Sequence, residues 1–94
     1  MDYMQIVKDA RDPNSKDNCL RLFWDKYLKT SHHVRDRNII CFPMKVLETN
    51  VKRIAVLAKE VRLQEDKDKR NAAAKECLEL VEKSLTTMDE LLKL

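Results

Sequence analysis

Glycine is absent from this 94-residue chain, and proline occurs only twice. Phosphate-cradling loops, dinucleotide-binding turns, nucleophile elbows and most tight β-hairpins need backbone that glycine alone adopts cheaply, so these devices are excluded. No apolar run approaches the ~18–20 residues that span a bilayer, and no membrane partner is expected. The opening MDYMQIVKDARD has neither a basic n-region nor an apolar h-region, so no secretory signal is expected. Cysteine is scarce, odd in number and widely spaced (Cys19, Cys41, Cys77), which argues against a disulfide framework. Three reduced, half-buried thiols in a cytoplasmic or nuclear protein are the expectation.

What remains is a chain that is 44% hydrophobic and 37% charged. That balance suits a folded helical protein, and the length sets a ceiling of one domain over residues 1–94. The net charge of +3 is mild, but its distribution is uneven. Residues 1–28 carry five bases and five acids, residues 29–62 eight and three, and residues 63–94 six and eight. The middle is basic and the tail acidic.

Periodicity predicts four helices. Tyr3, Ile6, Val7 and Ala10 fall at helical spacing over residues 2–10. Asp12-Pro13-Asn14-Ser15 then breaks the chain, with Ser15 as an N-cap and Asp17 in the first turn of a second helix over about 16–30. Leu20, Phe23, Trp24, Tyr27 and Leu28 form one face of that helix, and three aromatics make it an anchor of the core. Residues 31–37 read as a connector. A third helix, starting near Phe42 with Pro43 in its first turn or kinked there, carries Ile40, Met44, Leu47, Val51, Ile54, Ala58 and Val61. The polar run from Gln64 to Arg70 links it to a fourth helix with Ala74, Leu78, Val81, Leu85, Met88 and Leu92, capped by Asp66 or Asp68. The short link makes these two helices antiparallel neighbours. The fold expected is all-α: an antiparallel helical bundle with two long C-terminal helices and shorter N-terminal ones.

Each long helix bears a second apolar row, Ile39, Val46 and Leu57 in one and Ala73, Cys77, Leu80 and Leu91 in the other. The apolar arcs then cover roughly 160°, wider than a coiled-coil seam. The short N-terminal helices look insufficient to cover both arcs. The leading expectation is therefore a non-catalytic interaction or assembly module. It would bury Leu47, Val51, Ile54, Leu57, Leu80, Leu85 and Leu91 against a second copy or a partner protein.

The alternative is a nucleic-acid-binding accessory protein. Lys29, Arg35 and Arg37 cluster around His32 and His33, while Lys45, Lys52 and Lys59 recur every seven residues and form one ridge. The competing reading pairs that ridge with acids of the fourth helix such as Glu82 and Asp89. No zinc-finger spacing or RNP-like aromatic stretch accompanies the basic residues. No CxxC or HExxH spacing surrounds the histidines, so no metal or other cofactor is expected. The acids Glu76, Glu79, Glu82, Asp89 and Glu90 read as a solvated face, Ser31 and Ser84 lack a partner suggesting a nucleophile, and no catalytic residue is expected.

Overall fold

The computed structural model describes residues 2–12, 14–15 and 17–94. It is an all-α helical bundle: α1 Tyr3–Arg11, α2 Cys19–Asp36, α3 Phe42–Leu63 and α4 Lys67–Leu92, with no strand among the described residues. The principal extents are 43 × 26 × 18 Å, a flattened slab set by the two long helices.

The α3–α4 hairpin is the frame. Pro43 sits in the first turn of α3, where its missing N–H and fixed φ do no harm. Only Gln64, Glu65 and Asp66 separate the two helices. The Asp66 side chain accepts from the backbone N–H groups of Asp68 (3.0 Å) and Lys69 (3.1 Å), satisfying two orphan donors of α4. The predicted link was longer; this cap starts the helix within the polar run. Arg53 pairs with Glu76 across the hairpin at 2.8 Å.

The join between α1 and α2 is a buried polar clasp. Gln5 and the Cys19 backbone N–H both donate to the Asp9 carboxylate at 2.8 Å. Asn18 donates to the carbonyls of Asp9 (2.9 Å) and Asp12 (3.0 Å), and its side-chain oxygen accepts from the Arg21 N–H (2.9 Å). Asn18, not Ser15, is therefore the N-cap of α2, and Asp17 precedes the helix. Pro13 and Lys16, on which the predicted break and helix start partly rested, lie outside the described residues.

At its other end α2 is longer than expected. Residues 31–36, read as a connector, are helical, and so are His32 and His33. The reason is a buried stripe at Leu20, Phe23, Thr30 and Val34, with half-buried Tyr27 on the same spacing. Thr30 belongs to it because its hydroxyl donates to the Lys26 carbonyl at 2.9 Å, leaving no unmet polar group. Leu28, expected on the inner face, is 57% exposed.

The core runs along the middle of the slab. Ile6 and Phe23 from the short helices meet Leu47, Ile54, Leu57 and Val61 of α3 and Cys77, Val81, Met88 and Leu91 of α4. The helix α1 packs on α2, α3 and α4, whereas α2 packs on α1 and α4. No Cα of α2 lies within 8 Å of a Cα of α3. Directly packed helices, with axes about 8–10 Å apart, bring facing Cα atoms closer than that. Both α2 and α3 pack on α1 and α4 instead, so they stand at opposite corners of the bundle.

Candidate functional site

The seven apolar residues predicted to meet a partner do not form a surface. Leu47, Val51, Ile54, Leu57 and Leu91 are buried within the single chain, and Leu80 and Leu85 are half-buried against the same core. The wide arc of α3 is covered by α1 and α4, and that of α4 by α1, α2 and α3. That arc width is what two central helices of a four-helix bundle require, and it is not by itself a sign of a missing partner.

The two most exposed large apolar residues, Ile40 and Phe42, lie elsewhere, at the α2–α3 connection. Asn38 takes the left-handed conformation (φ 54°), the role usually given to glycine at a helix C-terminus. The Asn38 N–H donates to the Arg35 carbonyl and the Ile39 N–H to the Val34 carbonyl, at 3.1 and 3.0 Å. These two bonds are a Schellman motif, and the apolar contact that usually accompanies it would be Ile39 on Val34. The next residues alternate. Ile39 and Cys41 turn inward against the core, whereas Ile40 is 90% and Phe42 77% exposed. Cys41 is extended (φ −148°, ψ 155°), and a period of two is what extended backbone imposes. Ile40, predicted as the first core residue of α3, precedes that helix and points outward.

Between these two corner helices the surface forms a trough of two recesses. One recess of about 460 Å³ lies between Leu20, Arg21, Trp24 and Asp25 of α2 and Ala55, Ala58, Lys59 and Arg62 of α3, closed at its end by Asp9, Ala10 and Asn18. A second, of about 260 Å³, lies between Ser31, Val34 and Arg35 of α2 and Met44, Lys45 and Glu48 of α3, bounded by Ile39, Ile40 and Cys41. Both sit on the same two helix stripes. On α2 the stripe is Arg21, Trp24, Leu28, Ser31 and Arg35; on α3 it is Lys45, Glu48, Lys52, Ala55, Lys59 and Arg62. Spacings of three and four put each set on one face. Leu28 and Lys52 fall between the recesses, and both are exposed.

One aromatic ring, that of Trp24, lines this trough. Trp24 meets Phe23 and Tyr27 edge-on, with centroids 5.4 and 6.5 Å apart, which fixes its indole beside the first recess. Burial, and then the Glu48 carboxylate of α3, raise the Tyr27 phenol above its ordinary 10.0.

The six basic residues of the alternative reading are all exposed. Arg35, Lys45 and Lys59 line the recesses and Lys52 lies on the α3 stripe between them; Lys29 and Arg37 line neither recess. Among the described residues the ion pairs are Arg53–Glu76 and Lys26–Asp89. The α3 lysine ridge thus makes no pair with Glu82 or Asp89; Asp89 is taken by α2. Arg21, Ile40 and Phe42 were not singled out as surface residues from sequence. The three- and four-residue row from Arg21 to Arg35 was the available signal, masked by reading residues 31–37 as a connector.

Among the described residues, no group of three or more His, Cys, Asp or Glu is placed to hold a metal ion, and no helix is long and apolar enough to cross a membrane. Comparison with protein-family models, curated proteins and solved structures gives no match.

Proposed function

We propose that the protein is a non-catalytic docking module that receives another polypeptide along its α2–α3 trough. One observation carries this reading: two facing stripes held apart by more than direct packing distance, leaving an apolar floor between rows of unpaired cations. A lining of Leu20, Trp24, Ala55, Ala58 and Met44 offers carbon surface to bury, which is the main source of affinity. The cations at the rim set orientation and speed of encounter more than strength. The trough extends over α3 residues 44–62, about 27 Å at 1.5 Å per residue. An amphipathic helix of about 18 residues would fill it, the recognition mode in which an apolar helix face lies in a groove.

The same unpaired cations favour a second reading, binding to a nucleic-acid backbone. Asp25 and Glu48 among them, and the apolar floor, favour the first. Amide-resolved NMR titration of the full chain separates the two. The probes are three designed 18-residue amphipathic peptides with acidic, basic or uncharged polar faces, a 20-nucleotide single-stranded RNA and a 20-base-pair RNA duplex. Docking predicts shifts confined to residues 20–35 and 40–62 with at least one peptide. No peptide response on that face, or a response to RNA alone that collapses between 50 and 200 mM salt, about the range over which phosphate contacts weaken steeply, overturns the docking reading.

A further inference from the structure

We infer that the occupant of the trough is an amphipathic helix with an acidic polar face, contributed by a different protein. This rests on the docking reading and adds the charge and source of the partner. The stripes carry Arg21, Arg35, Lys45, Lys52, Lys59 and Arg62 against the exposed carboxylates Asp25 and Glu48. The Asp9 carboxylate at the end of the trough is buried and already accepts from Gln5 and Cys19. Lys45, Lys52 and Lys59 recur at about 10.5 Å along α3, two turns apart, so acids at the same two-turn repeat on a docked helix would meet all three. Opposite charge at the rim attracts such a helix and repels a basic one of equal hydrophobicity.

A second copy of this chain does not have the required chemistry. Its acidic segment is α4, but the exposed positions of that helix are nearly all polar: Lys75, Glu76, Glu79, Glu82, Lys83 and Glu90. The apolar side of α4 is already buried in its own core. A docked α4 would bring acids with no carbon surface for the trough floor, so the partner must bring both.

The test uses the full chain and two of the designed peptides, acidic and basic, identical in their apolar face. Trp24 is the only tryptophan and lines the trough, so its emission reports occupancy directly. The acidic peptide is expected to shift Trp24 emission and to bind at least tenfold more tightly than the basic one at 100 mM salt. The double variant Lys52→Glu/Lys59→Glu leaves four cations against four carboxylates on the stripes and is expected to abolish that preference. Lys83→Glu/Lys93→Glu, on α4 and at its C-cap and lining neither recess, is expected to leave it unchanged. Equal affinity of the unaltered chain for the two peptides, or an undiminished preference in a double variant with unchanged circular dichroism, overturns the inference while docking stands. Absence of binding by either peptide removes both. Concentration-dependent dimers in sedimentation, dissolved by the acidic peptide, overturn the assignment to a different protein.

Discussion

Asn38 shows how a chain without glycine ends a helix. A left-handed L-residue costs about 1–2 kcal/mol, and Asn carries less of that penalty than most. Asn38→Gly is therefore expected to stabilise the fold slightly, by a few tenths of a kcal/mol to about 1 kcal/mol, and Asn38→Val to destabilise it by more than 1 kcal/mol, read as shifts in urea midpoint. Cys41, the N-cap of α3, makes no side-chain cap bond. Cys41→Ser supplies an acceptor there and is expected to gain about 0.5–1 kcal/mol in the same measurement. Cys77 has a different signature. Burial, then the neighbouring Glu76, push its thiol from the ordinary 9.0 up to about 11. Below pH 9 both folded and unfolded chains keep the proton, and the contribution of burial is complete. Between pH 9 and 11 the unfolded chain releases it first, so stability falls as pH rises. Cys77→Ala is expected to lose that part of the slope, and a thiol reagent at pH 8 to label Cys19 and Cys41 well before Cys77. None of these three residues was legible from sequence in its actual role. Asn38 lay in a supposed connector, and the cysteines differ only in surroundings that the fold creates.

At the scale of elements, the two long helices were readable because their apolar residues repeat at four and three without interruption. Helix α2 was only half readable. Its inner stripe continues through Thr30, whose hydroxyl is satisfied by its own backbone, and a polar letter there ended the apparent pattern. The consequence for mutagenesis is a sharp division between inner and outer apolar residues. Ile54→Ala and Leu57→Ala are expected to cost about 2–5 kcal/mol in denaturant unfolding, since both are fully enclosed. Leu28→Ala and Ile40→Ala, with most of their surface in water, are expected to stay within about 0.5 kcal/mol. If Ile40→Ala proved as costly as Ile54→Ala, the outward placement of the connector would be wrong. Asn18→Ala removes a cap and two long-range bonds of the α1–α2 clasp at once, and is expected to cost about 1–3 kcal/mol.

For the whole molecule, the uneven charge along the chain was evident beforehand, but its location on the surface was not. It depended on the angle at which α2 leaves α1 and on the gap this opens opposite α3. The estimate that two short helices could not cover two wide arcs failed because α1 packs on both long helices while α2 packs on α4. With its core enclosed, the chain by itself is expected to sediment as a monomer at tens of micromolar. The three-residue link between α3 and α4 has a further consequence, for the order of assembly. Contacts across that hairpin are close in sequence, so forming them sacrifices little chain entropy, whereas docking α1 onto α4 must first close a far longer loop. The hairpin should therefore be the structured part of the folding transition state. In stopped-flow measurements, shortening side chains at Val51 or Cys77 should slow refolding, while shortening them at Ile6 should mainly hasten unfolding.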